Sequence, residues 1–265
     1  MNSVEFFKPK LHAVNESIHN FFLGITLLTK FTLRFLKEVL LPPYEFKESI
    51  KQSYIIGYKS LPLVGVTGFI MGLVLTIQSR PTLVTFGAES WLPGMVGVSI
   101  VREIGPVITA LICAGKIGSS IGAELASMKV TEQIDAMEVS GTNPFKYIVV
   151  TRILATTLMI PILVIFSDFI SLYGAYCGAN IEGDISFHLF FAQVANILGF
   201  SDVLPAFIKT FFFGFSIGLI GCYKGYNADK GTEGVGLAAN SAVVIGSLLI
   251  FIVDMIAVQI TSLLY

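Results

Sequence analysis

Four ionisable residues, Arg102, Glu103, Lys209 and Asp254, sit inside stretches of sequence that are otherwise apolar. An unpaired charge at the centre of a bilayer costs roughly 3 kcal/mol or more, so each of the four needs a partner of opposite sign or water. Glu103 with Lys209 and Arg102 with Asp254 are the expected pairs. Two readings stand for such a network: a static set of ion pairs that fixes helix register, or a polar gate that rearranges. Enzyme chemistry finds less to use. Cys113, Cys177 and Cys222 are scattered through apolar segments without a CxxC pair, which suits buried thiols better than a metal or redox centre. His12, His19 and His188 lack ligand spacing and support no Ser/His/acid set. No GxxxxGK[ST] loop is present, and "GTEGVGLAAN" at 231–240 follows no soluble strand. The expectation is a chain with no catalytic residue, no metal, no cofactor of its own and no nucleic-acid partner.

The elements that hold these charges are membrane helices. Hydrophobic residues make up 54% of the 265 and charged ones 13%, against about 25% charged in soluble domains, and the mean hydropathy is +0.79. Five stretches reach the length of about 20 residues that a bilayer requires: 60–79, 92–117, 143–178, 203–223 and 235–265. The third opens with Asn143-Pro144, a good cap followed by proline at the first helical position. It exceeds the membrane thickness, so Lys146 and Arg152 in its first turns are expected to project into water. Pro106 cannot donate to the Arg102 carbonyl, which should bend the second span beside its charges. Residues 185–201 are uncharged and read as an amphipathic helix on the outer surface rather than a sixth span. In 17–41, Lys30, Arg34 and Lys37 form one polar stripe, as in a helix lying in the membrane interface. The fold class is therefore all-α integral membrane, with a leader and interfacial helix over 1–52 and a five-span domain over 53–265. Nearly half of the Lys and Arg residues precede Ser60, others cluster around 116–152, and Lys224 and Lys230 lie between the last two spans. That bias puts the N-terminus in the cytoplasm and the C-terminus outside.

Between spans two and three lies a charged insert, "GAELASMKVTEQIDAMEVSG" (122–141). Ala126, Val130, Ile134 and Met137 share one helical face, with Lys129, Glu132, Gln133 and Glu138 pointing largely elsewhere. A solvated loop with a helical turn and a short helix built to dock a partner fit this periodicity equally. Small residues recur every fourth position at Ala114, Gly118, Gly122 and Ala126, and again at Gly68/Gly72 and Gly214/Gly218. Such stripes let helices approach closely, within one chain or between subunits.

The stretch "REIGPVITALICAGKIGSSIGAELASMKVTEQIDAMEVSGTNPFKYIVVTR" (102–152) resembles the signature region of the MlaE family of ABC-transporter permeases, which also includes the chloroplast lipid-import permease and the YrbE proteins. "YNADKGTEGVGLAANSAVV" (226–244) resembles the family's second motif. Lys116 stands where an arginine is common. The resemblance implies the transmembrane subunit of an ATP-driven glycerophospholipid transporter in the bacterial inner membrane, working as a homodimer. It implies a cytoplasmic ABC ATPase, carrying the ATP and Mg, docked on a coupling helix at 124–138. Glu124, Met128, Lys129, Glu132, Gln133 and Asp135 are the coupling residues expected there. An MCE-domain lipid-binding protein on the outer side and a small STAS-domain regulator complete the implied partners.

Leu75, Leu83 and Phe86, near the outward end of span one, are candidates to line a lipid cavity; facing bulk lipid is their equally weighted alternative. Two other classes remain open. An ion-coupled carrier would use the buried charges as a relay but should carry a repeat relating its halves, and none is visible. A non-transporting scaffold would need the small-residue faces and the insert, but not buried ions.

Overall fold

The computed structural model describes residues 3–181, 183–229 and 231–264, with only the backbone given for 3–18, 20, 21 and 264. Lys230, used above for orientation, lies outside the described residues. The chain separates into two units, Met1–Tyr44 and Glu45–Tyr265. The first is one helix, α1 (Ser3–Leu40), in which Thr26, Thr29 and Thr32 donate their hydroxyls to carbonyls one turn back.

The second unit holds α2 (Phe46–Thr85), α3 (Glu89–Val130), α4 (Gln133–Val139), α5 (Phe145–Ala179), α6 (Phe187–Ile197), α7 (Phe200–Tyr226) and α8 (Thr232–Leu264). Among the described residues there is no strand, and α2, α3, α5, α7 and α8 are each long and apolar enough to cross a membrane. This is the expected all-α fold with five spans and a short helix between spans two and three. The unit starts at Glu45, and α2 runs unbroken from Phe46 into the first span. With 11 residues, α6 covers about 16 Å at 1.5 Å per residue, too little for a hydrocarbon core of about 30 Å.

Backbone contact at small residues sets how the spans pack. A Cβ on Gly72 would overlap the Ser171 carbonyl, and one on Gly174 would overlap that of Phe69, so α2 and α5 touch main chain to main chain. Gly214 and Gly218 of α7 meet Thr156 and Ile153 of α5 in the same way. Gly122 of α3 approaches Ala238 and Ala242 of α8. The glycines of all three small-residue stripes thus meet neighbouring helices of the same chain.

Two irregular turns interrupt α3, over Ile100–Ile104 and Ala114–Gly118, where the hydrogen bonds lengthen to the π pattern. The first precedes Pro106, whose missing N–H and bulky ring disfavour a regular ladder at that point. The bend expected at Pro106 therefore takes the form of a π-turn that contains Arg102 and Glu103.

The two ends of the bundle differ. At one, α6 lies on the start of α3: Phe190 and Val194 are buried with Leu92, Val96, Ile100, Leu172, Ala175 and Ala179. Arg80 ties this end together, donating to Glu89 at 2.7 Å and to the Ala179 carbonyl at 3.4 Å. At the other, α4 caps the turn between α3 and α5. The insert expected as one helix over 124–138 is two, because Glu132 adopts a left-handed conformation (φ 57°) that no α-helix propagates. Gly141, at φ 80°, closes α4. Ala126 and Ile134 are buried nonetheless, so the apolar face survives the break.

Candidate functional site

Helix register brings the intramembrane charges to one depth. Counting about 1.5 Å per residue from the α6 end, Glu103 lies about 17 Å beyond Leu92, where the regular part of α3 begins, Lys209 about 14 Å from the start of α7 and Asp254 about 15 Å from the end of α8. Lys209 stands between the two carboxylates, 2.6 Å from Glu103 and 2.9 Å from Asp254. Its side chain is 5% exposed, those of Glu103 and Asp254 40% and 15%. The expected Glu103–Lys209 pair is present. Arg102 does not meet Asp254; it lies 3.7 Å from Asp202, a first-turn residue of α7. The reason is helical phase, since Arg102 and Glu103 are neighbours within the π-turn and point to different sides of α3. Asp202 went unexpected because it lies outside the apolar core of its span. Its other carboxylate oxygen accepts the Gly199 N–H at 3.1 Å and so caps α7.

Above Lys209 opens a cavity of about 300 Å³ lined by Arg102, Glu103, Asp202, Lys209 and Thr261. Beside it runs a groove of about 500 Å³ whose walls are Leu204, Ile208 and Phe212 of α7 and Val253, Ile256 and Ile260 of α8. Pro205, Lys209, Ala257 and Thr261 border both. A charged recess and an apolar trough therefore meet at one ammonium group, which is the division of chemistry along an amphiphile. Across α3, the carboxylate of Asp168 faces Gly105, and its buried Oδ1 has no hydrogen-bond partner.

The three residues chosen as cavity lining do not form one surface. Leu75 and Leu83 pack, partly buried, on the α3–α6 cluster, and Phe86 is 79% exposed just past the end of α2. The groove on α7 and α8 was missed; its signal was present in the i, i+4, i+8 run Leu204, Ile208, Phe212 leading past Lys209.

At the α4 end, Glu132, Gln133 and Asp135 are exposed, while Met128 and Lys129 are half-buried on the last turn of α3. Val139, 90% exposed, adds an apolar knob to the far end of α4 that charge periodicity did not single out. Glu124 reaches back into the bundle instead, 2.7 Å from the guanidinium of Arg152. Arg152 and Lys146 are buried, at 4% and 6%, and do not project into water. Length alone suggested that they would. The irregular first turns of α5, Phe145–Val150, pack on α7: Phe145 meets Tyr226 edge-on at 5.8 Å, and the Val149 carbonyl lies 3.9 Å from the Cys222 thiol.

Comparison with known proteins agrees with this geometry over almost the whole second unit. The family model Permease MlaE matches residues 49–260. A probable ABC transporter permease protein of Rickettsia prowazekii is 38% identical over 91% of this chain and 93% of its own length. One from Synechocystis is 35% identical over 78% of each. The intermembrane phospholipid transport system permease protein MlaE of Haemophilus influenzae is 33% identical over 78% of this chain and 80% of its own. Five packed spans, a short helix between the second and third, and similarity sustained along both lengths lead to one assignment: the chain belongs to the MlaE permease family.

Proposed function

We propose that this chain is the membrane subunit of an ATP-driven transporter of glycerophospholipids, acting between a bacterial inner membrane and the cell envelope. One observation carries the reading: a charged cavity and an apolar groove share Lys209. A glycerophospholipid joins an anionic phosphate to acyl chains. Arg102 offers a cation to the first, Lys209 the one N–H of its ammonium that Glu103 and Asp254 do not take, and the trough between α7 and α8 offers hydrocarbon to the second. A small ion would have no use for the trough.

The remaining parts come from the family and from α4. With exposed Glu132, Gln133, Asp135 and Val139, α4 suits a cytoplasmic ABC ATPase that brings ATP and Mg, with Met128 and Lys129 at its flank. The exposed apolar side of α8 favours a two-fold homodimer, in which Phe86 is the best exposed of the outer apolar candidates. An MCE-domain lipid-binding protein on the outer side and a small STAS-domain regulator complete the complex. Lys116, Lys129, Lys146, Arg152 and Lys224 gather toward the α4 end, so that end is cytoplasmic, as is the N-terminus, and the C-terminus is periplasmic.

A photoreactive amino acid at Ile208, activated in native membranes, tests the lipid assignment. Mass spectrometry should find glycerophospholipid adducts whose yield falls with Lys209→Met. Adducts indifferent to Lys209, or none, would sink it.

A further inference from the structure

We infer that the Glu124–Arg152 ion pair is the joint through which a displacement of α4 reaches α5, so that Glu124 is a positioning residue inside the chain rather than a contact for the partner. The inference rests on the reading of α4 as the docking element of an ATP-hydrolysing subunit, and it concerns what happens after docking.

Each flank of α4 is anchored differently. The end of α3 is locked to α7 by shape. A Cβ on Gly221 would lie 3.1 Å from the Gly118 carbonyl, and one on Gly225 would lie 2.7 Å from that of Gly122, so the two backbones meet at a distance only glycine allows. The start of α5 is also held to α7, through Phe145 on Tyr226 and the Cys222 thiol near the Val149 carbonyl at 3.9 Å. Between α3 and α5, Glu124 contacts Arg152 at 2.7 Å at this end.

The surroundings of that link make it a joint. Arg152 is 5% exposed at its side chain, and apart from Glu124 its guanidinium donates to the Ile148 carbonyl one turn back at 3.1 Å. Its Nε has no partner. The cation thus belongs to α5, fixed to its own helix by Ile148, and reaches outward to a carboxylate on α3 that is 52% exposed. Directional, short and charge-assisted, the pair resists both stretch and rotation, where apolar contacts would let the helices slip. The chain path from Glu124 to Arg152 runs through two positive-φ turns, at Glu132 and Gly141, with α4 between them. Those turns let α4 tilt, and the ion pair closes the loop so that the tilt carries α3 and α5 together.

The test uses the complete complex, purified from native membranes and reconstituted in phospholipid vesicles, with ATP hydrolysis and lipid transfer measured on one sample. Glu124→Gln should leave the hydrolase copurifying and lower lipid transferred per ATP hydrolysed by about tenfold, the size of effect seen for residues along a coupling path. Glu124→Asp, which keeps the carboxylate and leaves Arg152 on the Ile148 carbonyl, should recover most of that ratio. If Glu124→Gln prevents copurification, Glu124 is a partner contact and the inference falls. It falls equally if the ratio is unchanged, or if hydrolysis and transfer decline together with the amount of folded complex. Failure of the underlying reading looks different: the unaltered chain would then bring down no nucleotide hydrolase at all.

Discussion

The α4 end of the molecule is closely packed, and the middle of its α6 half is open. At the α4 end, α3 meets α7 through glycine at backbone distance, and Arg152 is sealed under Glu124. Halfway in from the α6 end, the same α3 and α7, now with α8, stand apart around a cavity, and contact is made by long charged side chains. One pair of helices thus changes from main-chain contact to side-chain contact along its length. Glycine excludes solvent and leaves nothing to rearrange, whereas Lys209, Glu103 and Asp254 keep space between helices and can exchange partners. Under the proposed function, drive from the α4 end would need this gradient, because a loosely packed driven end would absorb the motion before it reached the cavity at Lys209.

The largest effect expected at the open region comes from Lys209→Met. It removes the one cation held between Glu103 and Asp254 and leaves two carboxylates facing each other in a span. Breaking a buried pair from one side costs about 3–5 kcal/mol. The expected result is a much lower unfolding temperature in detergent, with lipid transfer lost. A second change, Glu103→Gln together with Asp254→Asn, should recover stability but not transfer, since it relieves the repulsion without restoring the cation. Recovery of transfer would make the network a static register pin.

The spans and their order were legible because about 20 apolar residues in a row admit little else. Both the existence of α6 and its failure to cross were legible too, from the missing charges in 185–201 and the cost to orientation of a sixth span. Helical phase across irregular turns could not be read. The π-turn over Ile100–Ile104 re-aims Arg102 within it, and the left-handed Glu132 ends one helix and starts another, so the face of Arg102 and the continuity of the 124–138 helix both differ from the expectation. Burial of Lys146 and Arg152 was hidden for another reason. It depends on which helix covers the first turns of α5, a tertiary fact with no local signal. Glu103–Lys209 was found because opposite charges in apolar surroundings have few choices. Asp202 was overlooked because a capping residue resembles a solvated one.

The gradient between the two regions can be sharpened with one substitution made twice. Gly225→Ala brings a methyl group against the Gly122 carbonyl and the Leu125 Cβ, each 2.7 Å from the new atom. Backbone cannot give way there, so about 1–3 kcal/mol should be lost, as for other overpacked sites. Gly94→Ala, at the α6 end, meets the tip of Ile197. That side chain is 43% exposed and can change rotamer, so the cost should be smaller and offset in part by the better helix propensity of alanine. Thermal unfolding of the two variants side by side measures the difference. Equal losses would mean that the α6 end is as tightly packed as the α4 end.

The smallest effect should come from Asp202→Asn, and it separates two kinds of charge at the open region. Arg102 is 52% exposed and 3.7 Å from Asp202, a geometry in which solvent screens most of the attraction, so the pair contributes at most about 1 kcal/mol. Asparagine keeps a side-chain oxygen for the Gly199 N–H, and the cap on α7 survives. Stability should change by less than about 0.5 kcal/mol, the usual range for exposed sites. Lipid transfer, by contrast, should respond to salt differently in the variant. With Asp202 neutral, Arg102 is left uncompensated at the rim of the cavity, and its attraction for an anionic head group should strengthen at low ionic strength and vanish within a Debye length of about 8 Å at 0.15 M. Transfer assayed from low to physiological salt reads this directly. A variant indistinguishable from the unaltered chain across that range would remove Arg102 from the lipid path and leave Lys209 as the cation that matters there.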